Sequence, residues 1–570
     1  MEKIYNLVEL FSGIGSQAKA LKNLGIDVNL QGTCEWDVHA IAAYDVIHNS
    51  PEIPEDIQTM DKETLLGILQ DYSFSNTGKS PLEFSSLRTY SVESLRRIYT
   101  SIRRNKNYVD VTRLDGTKLP DEIDILTYSF PCQDLSNVGA FHGYMKGIDK
   151  NSGSRSSLLW QVGRILTEMK DAHKKLPRFL LLENVPTLLS ERHFTNFKTW
   201  IADLEQLGYI SHYYQLNATS FGLPQNRPRL LMISVYVGDD VDKWNLVHEY
   251  FEEKKNPEHI VSDYRETAFF KQYTIQDLLR INYSNKKIKA EAIECTPNDT
   301  VSRQKIWRDN PQIIREDGTL DPNIDAVRTI TTKQDRNPNS GNLYFDSGIE
   351  GRSKFRYLTP RECLLFMGFT DEDFKCLKFN NVEFHKGDAL FARDKIIRMA
   401  GNSIPVKLLE GVFYQIILID QLLKEQAAAQ HQICSAQIEA DLSSLIRSYV
   451  FRKGIRSRIS KDDIYPKNAT VVYPKYHTAI YIRKCPTGKQ PLRPHSCTLC
   501  SYAYWKQRYL QTLEEEPQQY VEALNMGWSA IVVNPCDFNE TCYTETLEWI
   551  VKCIKEGLSL ESLGSVYKHG

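Results

Sequence analysis

The chain opens on a pattern that few folds accommodate. Tyr5 to Phe11 is an apolar strand pattern, Ser12-Gly13-Ile14-Gly15 is a glycine turn, and Gln17 to Leu24 repeats as a helix. Strand, glycine turn and helix in that order open a doubly wound α/β sheet, where the turn lets a ligand approach backbone N–H groups at the helix N-terminus. The turn lacks the full G-x-G-x-x-G spacing, which disfavours a nicotinamide dinucleotide. A second apolar stretch ends in Cys34-Glu35-Trp36-Asp37. That sets an acid and an aromatic ring at the next strand end, where a ribose diol and a flat adenine would be held. A tryptophan so placed is more often core than clamp, so the pair gains meaning only alongside other site residues.

At 570 residues the chain is too long for one ordinary core, and two or more are expected. No apolar run approaches the length of a membrane span and no signal peptide opens the chain, so a cytoplasmic protein is expected, with no membrane partner. The twelve cysteines are scattered, with a cluster from Cys485 to Cys500, which suits reduced thiols and a metal site better than a disulfide framework. A formal charge of −2 means that any nucleic acid must be met by local basic patches.

A second candidate site lies near residue 130. The buried-strand pattern Ile123 to Leu126, carrying Asp124, runs into Tyr128-Ser129-Phe130-Pro131-Cys132-Gln133-Asp134-Leu135-Ser136, a proline-bent loop that sets a cysteine just past a strand end. In chain order there follow Gly153-Ser154-Arg155-Ser156-Ser157-Leu158, the strand Phe179 to Leu182 ending in Glu183-Asn184-Val185, and Gln225-Asn226-Arg227-Pro228-Arg229 before the strand Leu230 to Val235. Leu358-Thr359-Pro360-Arg361-Glu362-Cys363, Met367-Gly368-Phe369 and Gly401-Asn402-Ser403-Ile404-Pro405-Val406 close the series. Taken in order, over roughly residues 4 to 420, this set resembles the cytosine-5 DNA methyltransferases. Thr127 to Ser136 and Ile47-His48-Asn49 look especially like the mycoplasma-type CpG enzymes.

The resemblance implies a mostly parallel, Rossmann-like sheet that binds S-adenosylmethionine, with double-stranded DNA as substrate. It puts Phe11, Gly13 and Gly15 around the methionine end of the cofactor, Glu35 on the ribose, Trp36 against the adenine and Asp110 near the ring amino group. Val111, Pro131, Leu158, Asn402 and Ser403 complete that lining. Asn402 could equally cap the following helix, and Glu183 could cap the element after its strand. Carbon 5 of cytosine is too weakly nucleophilic to take a methyl group until a nucleophile adds at carbon 6, and a thiolate suits that addition because it can leave again. By resemblance the thiolate is Cys132 and the group at ring nitrogen 3 is Glu183. Arg227 and Arg229 hold the cytosine carbonyl and a phosphate, Arg155 steadies the cysteine loop, and Gln225 supports the strand end at the DNA. The base that removes the carbon-5 proton is not identified. A cytosine in a duplex must be flipped out to reach Cys132.

The expected division is a catalytic domain over 1–238, a target-recognition region over 239–355, a closing part over 356–424 and a C-terminal domain over 433–570. In the recognition region, Arg328 to Arg336 mixes hydroxyls with basic residues, and Thr329, Lys333 and Arg336 are the candidate DNA contacts. The insertion from Pro51 to Asn107 has a helical pattern carrying Arg96, Arg97, Arg103 and Arg104, which leaves open a course along the DNA or on the bare surface.

Beyond an Ala-Gln-rich stretch, Glu425 to Gln432, Ile446 to Arg493 holds twelve Lys and Arg against two Asp. Three strand patterns follow, Val471–Pro474, Ala479–Ile482 and Ala530–Val533. Cys485, His495, Cys497 and Cys536 are candidate ligands of a structural zinc, with Cys500 as an alternative. This part faintly resembles the very-short-patch repair endonucleases, over roughly Leu445 to Phe538. The aspartate of that family falls on Thr470 and a histidine on Arg483, which implies a nuclease-inactive module. The expected whole is a sequence-specific methyltransferase, a monomer on DNA, within a restriction-modification system that has a cognate endonuclease. The alternative is a bifunctional chain whose tail nicks or repairs DNA.

Overall fold

A computed structural model describes residues 4–131, 158–334, 340–458, 465–466, 469–482, 523–533 and 543–557. The chain divides into two units, Met1–Asp420 and Gln421–Gly570. In the first unit the strands are β1 (Tyr5–Leu10), β2 (Val28–Cys34), β3 (Ile125–Tyr128), β4 (Phe179–Asn184), β5 (Tyr209–Asn217), the two-residue β6 (Gln225–Asn226) and β7 (Pro228–Tyr236). Six of them form one sheet in the order β2-β1-β3-β4-β7-β5. β1, β2, β3 and β4 pair in parallel, and β7 runs antiparallel to both its neighbours.

Composition accounts for the buried middle of this sheet. β3 is buried along its whole length and Phe179 to Leu182 of β4 likewise, as expected of strands covered on both faces. Strand order reverses at β1, whose last residue Leu10 pairs with Cys34 on one side and Tyr128 on the other. That switch point opens a crevice at the carboxyl edge. Because β7 is antiparallel, the residues that precede it reach the same edge: Asn184 at the end of β4 pairs with Leu230 near the start of β7.

The Pro51–Asn107 insertion is helical, as its pattern indicated, and its arginines bond within the catalytic unit. Its longest helix, Val92–Arg104, buries Leu95, Ile98 and Ile102 and packs on the helices Val38–His48 and Lys62–Leu69. All four arginines are engaged inside the unit. Arg96 donates to the Met60 carbonyl (2.7 Å), Arg97 to the Pro51 carbonyl (2.7 Å) and Asn380 Oδ1 (2.8 Å), and Arg104 to Asp45 (2.7 Å), while Arg103 pairs with Asp56.

Helices Val241–Glu253 and Pro257–Arg265, placed by sequence in the recognition region, pack against β5 and the closing helix. Phe251 stacks on His212 at 5.5 Å, Tyr250 donates to Gln415 (2.5 Å), and Tyr264 donates to Glu410. The more distal stretch holds β8 (Gln312–Ile314), β9 (Val327–Arg328), β10 (Asn342–Tyr344) and β11 (Phe355–Arg356), with β8, β10 and β11 in a small sheet and β9 paired to β6. A short hairpin, β12 (Glu383–His385) and β13 (Asp388–Ala389), precedes the helix Arg393–Asn402.

Where the chain returns, Arg356 and Glu362 form an ion pair with both side chains fully buried, bonded twice at 2.8 and 2.9 Å. Glu362 also accepts the N–H of Thr359 and of Arg280, and Arg356 donates to the Tyr283 hydroxyl. Thr359, Pro360 and Glu362 form a capping box with proline in the first turn.

The division between units falls inside one helix, Val406–Arg452, which also includes the Ala-Gln-rich Glu425–Gln432 stretch. In the second unit β14 (Val471–Tyr473) is antiparallel to β15 (Thr478–Ile482), which is parallel to β16 (Ser529–Val533). Period-two alternation divides its core. Val471, Tyr473, Ile480 and Ile531 face the helices that carry Ile446 and Ile550, and Val472, Ala479, Tyr481 and Ala530 face Trp528.

Removing one partner of a buried pair leaves a bare charge, so Arg356→Met should lower stability by about 3–5 kcal/mol. Urea unfolding measures this, and Arg356→Met combined with Glu362→Leu should recover much of the loss.

Candidate active site

One cavity of about 570 Å³ occupies the crevice at the switch point. Phe11, Gly13, Glu35, Trp36, Asp110 and Val111 line it toward β1 and β2, Glu183, Arg227 and Arg229 toward β4 and β7, with Pro131 and Leu158 also on its wall and Asn402 and Ser403 from the closing segment. Gly15 is the one residue of the expected cofactor set that does not line it. It stands at the N-cap of the helix Ser16–Asn23 with φ 77°, where a Cβ would lie 2.3 Å from the His48 imidazole.

The backbone of this rim is strained. Phe11 and Val109 have φ of 59° and 63° although neither is glycine, and Val109 is β-branched and buried. Such conformations cost energy and persist where the surroundings enforce them. Here the Val109 N–H donates to Asn107 Oδ1 (2.9 Å), which also accepts from the Glu35 N–H (3.0 Å), while Asn107 Nδ2 donates back to the Glu35 carbonyl (3.1 Å). One side chain thus joins the segments that carry Glu35 and Asp110.

The Glu35 carboxylate accepts N–H groups from Trp36 (2.9 Å), Asp37 (2.8 Å) and Gly13 (3.0 Å), leaving about one of a carboxylate's four acceptor directions open. Burial pushes its pKa up to about 7, with nearby Asp37 adding to the rise. Asp37 caps the helix Val38–His48 and takes both its oxygens to Arg398 Nη2 (3.0 and 2.7 Å). Asp110 accepts from the Thr112 N–H and hydroxyl.

At the other end Glu183 receives Arg229 Nε at 2.8 Å. Burial raises its pKa, and the charges of Arg229 and Arg227 oppose the rise. Glu183 lies within β4 and the turn after it is capped by Val185, so it is not a helix cap. Asn402 ends the helix Arg393–Asn402 and the next begins at Val406, so Asn402 does not cap that one either.

Arg227 lines the cavity near Glu183 and is engaged by the protein itself. It is 2% exposed, and its terminal nitrogens donate to the carbonyls of Ile330 (2.7 Å), Gly401 (2.8 Å) and Ser403 (2.8 Å). Gln225, expected at the DNA, is fully buried: its amide donates to the Phe366 carbonyl (2.8 Å) and accepts the Ile330 N–H (3.0 Å). Both residues therefore hold protein segments together, and Arg229 is the guanidinium left beside Glu183. Thr329 donates to the Asn226 carbonyl (2.7 Å), and Lys333 is exposed.

Cys132, Arg155 and Arg336 lie outside the described residues, as do Cys485, His495, Cys497 and Cys536. Asn184, which sequence reasoning passed over, donates to the Phe130 carbonyl (3.1 Å) and so fixes the start of the cysteine loop. Its partner is 54 residues away, and no local pattern announces it. Arg398 was missed for the same reason. Among the described residues no group of three His, Cys, Asp or Glu is placed to hold a metal ion, and no helix is long and apolar enough to cross a membrane.

A switch-point crevice lined by Glu35 and Trp36 and by the buried Glu183–Arg229 pair is a ligand site of the doubly wound α/β class. The model of the C-5 cytosine-specific DNA methylases matches residues 70–418, and the chain belongs to that family. It is 30% identical over 415 residues to the type II methyltransferase M2.ScrFI of Lactococcus lactis subsp. cremoris, covering 72% of this chain and 98% of that protein. To the orphan methyltransferase M.SssI of Spiroplasma monobiae it is 31% identical over 421 residues, covering 73% of this chain and 97% of that protein. The chain is a DNA (cytosine-5)-methyltransferase. The family match stops two residues short of the end of the first unit, 418 against 420, and it lends no support to an endonuclease-like or bifunctional tail.

Beneath the glycine turn, Glu9 is fully buried and accepts the Ala18 N–H (3.1 Å) and the Tyr44 hydroxyl. Burial pushes its pKa up to about 7, against the lowering by those two donors. A folded-state pKa above the unfolded value gives stability that is complete below the unfolded pKa and is lost as pH rises through the folded one. Between pH 5 and 8, Glu9→Gln should therefore gain about 2–3 kcal/mol relative to the parent. Urea unfolding at the two pH values measures the change, and an equal offset at both would contradict it.

Proposed function

We propose that this enzyme methylates carbon 5 of a cytosine flipped out of double-stranded DNA, through a covalent bond from Cys132 to carbon 6. The observation that carries the reading is that a single cavity is lined both by the Glu35-Trp36 and Asp110 group and by the Glu183–Arg229 pair. The first group suits the adenosine part of S-adenosylmethionine: an acid with one open acceptor direction for a ribose hydroxyl and an indole for the adenine. When bound, that cofactor supplies an electrophilic methyl group. The second group suits the cytosine. Burial favours the protonated form of Glu183, which can then hydrogen-bond ring nitrogen 3 and disperse the charge that builds when the thiolate adds. Arg229 keeps Glu183 oriented and offers donors to the base carbonyl. Asn184, through the Phe130 carbonyl, sets where the cysteine loop begins. Once the methyl group is in place, loss of the carbon-5 proton lets the carbon–sulfur electrons return to Cys132 as thiolate.

DNA contacts are assigned to the recognition region, with Thr329, Lys333 and Arg336 at its return, and base flipping follows from the burial of Glu183 within the cavity. The enzyme is read as a monomer on DNA. The type II relative supports membership of a restriction-modification pair with a cognate endonuclease, and the orphan relative represents the alternative of an enzyme without one. In the second unit β15 and β16 end in register, Ile482 opposite Val533, and Cys485 and Cys536 each come three residues later, 482 to 485 and 533 to 536. This favours a structural zinc held with His495 and Cys497.

Bisulfite sequencing of plasmid from cells expressing the chain should show one methylated motif, and unmodified cytosines throughout would reject the reading. Cys132→Ala should abolish the signal. Glu183→Gln should slow turnover by about 10²–10⁴-fold while leaving DNA affinity unchanged. Metal analysis should find one zinc per chain in the parent and loss of it in Cys497→Ser.

A further inference from the structure

Between Trp36 and Asp110 the chain makes its long insertion, and one segment of it, Ser73 to Pro81, returns to the cavity. Ser73, Gly78 and Pro81 line the cavity with Trp36 and Asp37. The segment is fixed to the tryptophan peptide itself: the Ser75 N–H donates to the Trp36 carbonyl (2.8 Å) and the Val38 N–H donates to the Ser75 carbonyl (3.0 Å), a parallel bridge that straddles Asp37. Asn76 meets His39 Nε2 at 2.8 Å. The other ring nitrogen of His39, Nδ1, faces the Leu390 carbonyl (2.7 Å), so the imidazole sits between two oxygen acceptors, that carbonyl and Asn76 Oδ1.

Internal bonds keep the segment folded. Ser75 Oγ donates to the Ser80 carbonyl (2.6 Å) and the Leu82 N–H to the Phe74 carbonyl (2.7 Å), with Phe74 and Ser75 buried. Its far root is held from the Asp110 side, because Arg113, itself on the cavity wall, donates to the Asp71 carbonyl (3.4 Å). Gly78 has φ 69°, and a Cβ there would lie 3.7 Å from Asp37 Oδ2. An insertion that served only to thicken the surface would have no need to bond the Trp36 peptide on one side and Arg113 on the other.

We infer that Ser73–Pro81 is a cofactor-binding strap that covers the adenosine end of S-adenosylmethionine and slows its departure. The inference rests on the cofactor placement proposed above. The test uses the full chain and radiolabelled S-adenosylmethionine chased with unlabelled cofactor. Asn76→Ala removes the bond to His39, and Gly78→Val forces a side chain into a left-handed backbone beside Asp37, so the two variants loosen the strap by different means. Each should release cofactor about tenfold faster, the order expected for one lost buried hydrogen bond. Affinity for duplex DNA should stay near the parental value. Parental release rates in both variants, alongside weakened binding in Trp36→Ala, would overturn the strap and leave the cofactor placement standing. Undiminished cofactor binding in Trp36→Ala would overturn the placement and the strap together.

Discussion

A guanidinium that water can barely reach organises the catalytic unit. Arg227 is 2% exposed, and a buried cation must be met by acceptors or it destabilises the fold. Three backbone carbonyls meet it, from Ile330, Gly401 and Ser403, segments separated from it by 103 to 176 residues. Gln225 repeats the arrangement in the same short segment, reaching Phe366 and Ile330. Gly401 shows how close the approach is, since a Cβ there would come within 2.5 Å of the Thr331 backbone. The end of the recognition region and the closing part of the catalytic domain are thereby drawn to the start of β7, next to Glu183. The carboxyl-guanidinium pair keeps its position because the arginine beside it belongs to the scaffold.

Period and punctuation made much of the catalytic unit legible in advance. The apolar runs at Tyr5, Ile123, Phe179 and Leu230 are strands within two residues of where their patterns begin, and the sheet is mostly parallel. Charge was the poorer guide. Arg96, Arg97, Arg103 and Arg104 suited a course along DNA as well as a bare surface, and each is held by an internal acceptor; acceptors that are carbonyls leave no trace in side-chain identity. Pairing at a distance was equally silent: Asn184 with Phe130 and Arg398 with Asp37 join residues that no local repeat connects. The Thr359-x-x-Glu362 capping box could have been found, because it is a four-residue pattern. The Ala-Gln-rich stretch Glu425–Gln432 is helical because alanine and glutamine are good helix formers, and the unit boundary falls just before it, at Asp420.

Acid groups around the crevice carry a common electrostatic signature. Glu9, Glu35 and Glu183 are all pushed toward protonation by burial, each restrained by donors of a different kind: a hydroxyl and an amide at Glu9, three amides at Glu35, guanidinium charge at Glu183. Glu35 and Glu183 line one cavity, so whatever fills it would remove further water from both. Neutral donors hold the first acid and full charges the second, and the two can therefore be tuned independently.

The antiparallel course of β7 has a topological consequence. A strand that starts at the active edge must finish at the opposite one, so the chain leaving Tyr236 is carried away from the chemistry and returns only at β9, which pairs with β6 beside Arg227. The two ends of this long excursion are anchored to the same scaffold. Closing a loop costs only logarithmically more as it lengthens, so material inserted within the excursion would change the free energy little and leave Glu183 and Arg229 where they are. The arrangement separates what can vary from what cannot: the excursion can lengthen or shorten between two fixed anchors without moving the Glu183–Arg229 pair.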